Sequence, residues 1–299
     1  MGQMFSLQIP ENGGFNETLK KFGSIQRGVS GAATVDTQGA RYEFTMSWED
    51  LNEADCSALK QLYSMVRSSA KPVRLISPHR KNLLTGSASS ARSVARHRES
   101  AVHYFPLSTR VTVTTPEVPR PDLDPLYPLF PRLTRYVHMV NNGTGFEFVI
   151  PEGDLSGLGA ANPNTRIPVI EGREYTLSCL YRVTAGGTDP TANGLRGGWR
   201  REDGDNVTQP TIPFVNLTSA TWAWQSVTFT IPTGWPGVIP QICVGDLATI
   251  DIGAMQFEEG PVRTPWVMGS GVPVVSFTDL TFTDTLWPLR NAQLTAIEL

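Results

Sequence analysis

The sequence predicts a mainly β chain of more than one unit, and three observations carry that expectation. The 27 Gly and 23 Pro, with charged residues at only 18%, suit many short strands joined by tight turns. Strict apolar/polar alternation recurs along the chain, first in residues 42–48. Helical spacing is sustained only once, just after Leu51. At 299 residues the chain can bury a core without metal or disulfide staples, and its length suits one large domain or two ordinary ones.

Residues 1–20 show no sustained period. In 42–48, Tyr42, Phe44, Met46 and Trp48 take one face and Glu43, Thr45 and Ser47 the other, so one face is buried and one wet. Asn52 can cap a helix with Asp55 at the third helical position, and Leu59, Leu62, Tyr63 and Val66 follow at helical spacing. An amphipathic helix over 53–67, packed on that sheet, is predicted. It ends before Pro72, and 72–78 reads as a short strand bounded by prolines.

Residues 80–99 shift to Ser, Ala, Gly and Arg. Lys81, Arg92, Arg96 and Arg98 have no aromatic neighbours on which bases could stack, so a solvated linker or an interface with an acidic neighbour is expected. Leu107, Thr109, Val111 and Val113 alternate as a strand. Six prolines between Pro116 and Pro131 then predict an extended connector or an ordered surface loop.

From about 136 to 260 short strands recur between turns rich in Gly, Asn and Asp, the pattern of a sandwich or jelly roll. Phe146 to Ile150, the alternating Tyr175, Leu177, Cys179 and Tyr181, and Val227, Phe229 and Ile231 are three of them. Ile250 and Ile252, followed by Met255 and Phe257, change phase and predict a strand interrupted or bulged near Gly253. Residues 277–299 return to strand-like pieces that need a sheet to join, and the first region is the expected host.

The predicted organisation is therefore a discontinuous, β-rich base domain with one amphipathic helix, made of 1–82 and 269–299. A linker and Pro-rich connector with one strand spans 83–135, open to being part of the sandwich. A jelly-roll β-sandwich spans 136–268.

The net charge of −3 is too near neutrality to imply nucleic acid or an anionic membrane as partner, and no apolar run is long enough to span a bilayer. Cys56, Cys179 and Cys243 lack metal-site spacing. Buried thiols are expected, with a Cys179–Cys243 pair as the alternative.

His79, His97, His103 and His138 form no zinc-type pair, and no nucleophile elbow or phosphate loop is present, so no catalytic set or cofactor is expected. A structural Ca²⁺ on aspartate-rich loops has no supporting spacing. Four carboxylate pairs, Asp122/Asp124, Asp203/Asp205, Asp246/Asp251 and Glu258/Glu259, keep a glycoside hydrolase open as an alternative.

Six of the seven tryptophans lie at or beyond position 199, and an indole can stack on a sugar ring. Trp199, Trp222, Trp224 and Trp235 are the candidate glycan contacts. Trp222 and Trp224 share one strand face and are equally readable as core, whereas Trp235, between Gly234 and Pro236, is expected to be exposed.

Two stretches carry a resemblance. Asp251-Ile-Gly-Ala-Met-Gln-Phe-Glu-Glu-Gly260 with Pro261-Val-Arg-Thr-Pro-Trp266 resembles the final strand and exit of carbohydrate-binding-module-like jelly rolls in phage tail and fibre proteins. Asn82-Leu-Leu84 is similar to the start of such modules, and residues 175–182 to their inner strand. The alternation at 44–48, the helix, the strand at 72–78 and a closing C-terminal strand together resemble the base domain of minor tail proteins of actinobacterial siphophages.

That resemblance implies a virion protein of the tail tip or baseplate, assembled in the host cytoplasm. It implies docking by the base domain onto other tail proteins and copies of itself in a symmetric ring, with the sandwich outward. A carbohydrate-binding adhesin touching host cell-wall glycans is the alternative role.

Overall fold

The computed structural model describes residues 14–27, 33–69, 73–91, 104–107, 109–118, 133–151, 166–200, 211, 213–286 and 288–299. In chain order the elements begin β1 (Phe15–Arg27), β2 (Ala33–Leu51), α1 (Glu53–Ser69), β3 (Val73–Arg74), α2 (Gly86–Ser90), β4 (Phe105–Pro106), β5 (Val111–Thr114) and β6 (Val137–Asn141). They continue with β7 (Glu147–Ile150), β8 (Ile167–Pro168), β9 (Glu174–Gly186), β10 (Gly194–Arg200), β11 (Phe214–Asn216) and β12 (Ala223–Thr230). The last four are β13 (Gly237–Val244), β14 (Ala248–Glu259), β15 (Val274–Leu286) and β16 (Leu289–Glu298). The chain is mainly β, and it divides into two compact units.

One unit comprises Gln3–Leu75 and Pro273–Leu299. Its antiparallel sheet has the order β1-β2-β16-β15-β3, so the two C-terminal strands lie between β2 and β3. Phe44, Met46 and Trp48 are buried on one face with Leu294 and Ala296, as alternation requires. Asn52 caps α1 reciprocally with Asp55: its Oδ1 accepts from the Asp55 amide at 2.9 Å, and its Nδ2 donates to Asp55 Oδ2 at 2.8 Å. Cys56, Leu59, Leu62 and Val66 form the buried stripe of α1, which packs on β15 and β16. Tyr63 stacks on Phe277 with ring centroids 6.5 Å apart. Each such apolar side chain contributes roughly 1.5–3 kcal/mol by burial.

Strand β1 begins within residues 1–20, where the sequence shows no sustained period. It pairs with β2 from Phe15↔Met46 to Arg27↔Ala33. Phe15 is buried while Leu19 is exposed, so the apolar signal fades within one turn of the pleat. Backbone pairing with β2 defines this edge strand.

The other unit holds Ile76–Val272 and is an antiparallel sandwich. One sheet runs β11-β10-β13-β7-β4 with β8 also on β13, and the facing sheet runs β12-β9-β14-β6-β5. Tyr175, Leu177, Ile250, Ile252, Met255, Phe257, Leu195 and Ile242 are among the residues that fill the space between them. Register between β14 and β9 shifts between Gly253 and Gln256, and Ala254 adopts a left-handed φ of 48°. This bulge lets both Ile252 and Met255 point inward, which accounts for the phase change in the sequence.

Residues 80–91 are not a solvated linker. Leu83, Leu84, Ala88 and Ala91 are buried in the sandwich core, and the small residues of α2 allow close packing on β14. The buried Asn82 side chain stitches this segment to the last sandwich strand and its exit. Its Nδ2 donates to Ser89 Oγ at 3.0 Å, Met255 O at 3.1 Å and Val267 O at 2.9 Å, and its Oδ1 accepts from the Leu84 and Phe257 amides, each at 3.2 Å. Gly269 completes the junction, since a Cβ there would run into the Leu84 carbonyl. Most of the Pro-rich stretch, residues 119–132, lies outside the described residues.

All three cysteines are free and buried. Cys179 faces the core between the sheets, whereas Cys243 alternates with the core residues Ile242 and Val244 and so takes the opposite face of its strand. The two thiols therefore do not pair. Burial raises both thiols, Cys243 to about 12.

Candidate functional site

On the five-stranded sheet of the sandwich, register places Arg182 of β9, Asp251 of β14, His138 of β6 and Thr114 of β5 side by side. Their neighbours Tyr181, Ile252, Val137 and Met139 belong to the core, so this row lies on the face away from it. Asp251 is 1% exposed. Its Oδ2 accepts from Arg182 Nε at 2.6 Å, and its Oδ1 lies 2.6 Å from His138 Nδ1. A buried carboxylate is tolerated because both oxygens are engaged.

Desolvation works against the Arg182 charge, but the hydrogen bond and charge of Asp251, helped by Tyr136, outweigh it and hold the guanidinium above its ordinary range. The guanidinium carbon lies 4.9 Å from the Trp222 ring centroid and 5.6 Å from that of Tyr136. Those two rings meet edge to face at 5.7 Å. Two residues along, Trp224 carries the Arg263 guanidinium at 4.4 Å. Leu133, Leu180 and Ala254 form the buried apolar floor, with Trp222, Trp224 and Trp266 packed against it.

The segment after β14 explains why Arg263 sits there. Glu258 is buried and accepts from the Thr264 amide at 2.9 Å and the Thr264 hydroxyl at 2.6 Å. Gln256 donates to Glu258 at 2.7 Å and accepts from the Val267 amide at 2.9 Å. Trp266 Nε1 donates to Met255 O at 3.3 Å. The Gln-x-Glu and Thr-Pro-Trp runs are thus two halves of a latch that folds residues 260–267 across the sheet face.

Of the four tryptophans singled out, Trp222 and Trp224 are brought together, half-buried, on this face. Trp235 is 5% exposed and part of the core, contrary to expectation, because the turn before β13 folds its indole inward. Trp199 is 2% exposed, edge to face with Phe229 at 5.3 Å. Neither is placed to meet a surface ligand. Arg182, Arg263 and Tyr136 are not among the candidates read from the sequence, and His138 enters there only as a histidine without a zinc-type partner. Asp251, weighed only as a partner for Asp246, carried the available signal: a charged residue between Ile250 and Ile252 in an apolar strand.

The described candidate carboxylates each have their own partners. Asp246 accepts from Thr188 Oγ1 at 2.7 Å, and Glu259 pairs with Arg173 at 2.6 Å. Asp122, Asp124, Asp203 and Asp205 lie outside the described residues.

No family profile matches the chain, and no curated protein does. Among solved structures, the enzymatically active domain of bacteriophage CBA120 tailspike protein 4 is similar at a TM-score of 0.36 and 13% identity, over 62% of this chain and 22% of its own. The CBM22-1-CBM22-2 tandem domain of Paenibacillus barcinonensis Xyn10C gives 0.37 and 10%, over 64% and 50%. Its CBM22-1 xylan-binding domain gives 0.35 and 9%, over 63% and 100%. The chain thus spans about a fifth of the tailspike chain. At such scores and identities none of these likenesses transfers a ligand or an activity to this protein.

Proposed function

We propose that this chain is a non-catalytic structural component of a phage tail tip or baseplate, in which the split five-stranded unit attaches to neighbouring subunits and carries the sandwich. The tail context rests on the sequence resemblance. One structural observation supports attachment: β2 pairs with β1 from Ala33 onward, yet its pairing with β16 begins only at Glu43. Residues 20–27 and 33–41 therefore form a two-stranded ribbon, with no third strand among the described residues. An isolated ribbon is marginal in water, and its open edges template further pairing. A neighbouring copy in a ring supplies what such a ribbon lacks.

The test is the mass of the full chain in solution and its incorporation into particles, with and without the ribbon shortened to an Asn-Gly turn. Loss of oligomer or of incorporation, with the sandwich still folded, is expected. An unchanged assembly would overturn the attachment role.

A second reading, that the sandwich contacts a glycan of the host surface, is favoured by the aromatic and charged row of Trp222, Trp224, Tyr136, Arg182 and Arg263. Aromatic surface flanked by fixed polar groups suits a sugar chain. Binding of purified wall glycans to the full chain, and its loss on Trp224→Ala, tests it.

A further inference from the structure

We propose that the glycan taken by the Trp222–Trp224 face is anionic, with its carboxylate or phosphodiester groups meeting Arg263 and Arg182. This rests on the reading of that face as a glycan contact. Four observations lead to it. Each indole carries a guanidinium, so an arriving ligand meets N–H donors there. The row's only carboxylate, Asp251, is buried with both oxygens taken. Among the described residues Arg263 has no ion pair, and its one hydrogen bond, to Thr264 O, is long at 3.5 Å. The Trp222 indole N–H is buried and has no acceptor among the described residues.

Asp251 offsets Arg182, and the buried Glu258 has both oxygens taken beneath the latch, so Arg263 is the charged group this face presents to a ligand. The nearby Glu117 and Arg135 neutralise each other at 2.8 Å. Hydroxyls of a neutral sugar both donate and accept, whereas a guanidinium only donates. Carboxylate and phosphate oxygens only accept, and guanidinium suits them in geometry and charge.

The experiment is affinity electrophoresis of the full chain through native gels containing polygalacturonate, poly(glycerol phosphate) or neutral dextran. Retardation by at least one anionic polymer, well above that by dextran and fading as salt rises, is expected. The two anionic gels separate a carboxylate ligand from a phosphodiester one. Arg263→Gln should weaken the anionic binding by about fivefold, as for one accessible charged contact. Arg263→Lys should keep part of it, and Arg290→Gln, in the other unit, should change nothing.

Equal retardation by dextran, or an inert Arg263→Gln, would overturn the anionic inference while leaving the glycan reading intact. Loss of folding in Arg263→Gln is checked by its melting curve, and the dextran comparison on the unaltered chain then decides alone. No retardation in any gel, with wall glycans also unbound, would remove the glycan reading itself and the inference with it.

Discussion

Arg182 and His138 grip opposite oxygens of one buried carboxylate, Asp251, each at 2.6 Å. They stand on strands either side of β14, so the carboxylate ties three strands together on the outer face. Asp251→Ala should leave the Arg182 cation half-buried against Trp222 without its counter-charge and destabilise the sandwich by about 2–4 kcal/mol. Asp251→Asn, which keeps a carbonyl acceptor, should cost less. Urea unfolding of both variants checks the order, and equal stabilities for all three proteins would refute the tie.

Alkaline pH should weaken the sandwich. Burial raises Cys179, raises Cys243 to about 12, and raises Tyr175 to about 12. Groups with raised folded pKa values keep their protons longer in the folded state, so their contribution is intact below the unfolded values near 9 and 10. It is lost as pH climbs toward the folded values. The slope is about 1.4 kcal/mol per pH unit for each group in its window. Denaturation between pH 8 and about 11 should show this fall, and Cys243→Ala should make it shallower. A flat profile would contradict the burial of these groups.

Trp235→Ala should act on stability, not on surface chemistry. The indole is in the core, and truncating it leaves a cavity costing about 3–5 kcal/mol. The melting temperature should drop sharply. A variant as stable as the parent would place the ring outside.

Periodicity revealed the strands whose apolar side chains alternate, such as residues 44–48 and 175–181, together with α1 and the bulge at Gly253. It missed β1, whose pairing is by backbone, and misread residues 80–91, where small residues mean tight packing as well as solvation. The site was half legible for a similar reason. Trp222 and Trp224 stand out by type, but the row that gives them charge joins residues as far apart as His138 and Asp251 through register. Register depends on pairings that one sequence does not display. Trp235 was misplaced because a turn says where the backbone bends and leaves the direction of its side chain open.

The position of β16 yields a sharper test. This strand separates β2 from β15, pairing with both over nearly its whole length. Deleting residues 285–299 should therefore strand β1, β2 and α1 without the Leu294 and Ala296 side chains that complete their core. The sandwich, whose cluster draws on no residue beyond Val272, should survive. Limited proteolysis of the shortened chain should degrade its first 75 residues while a fragment matching Ile76–Val272 persists. Protection of the N-terminal strands after the deletion would show that they fold without the end of the chain.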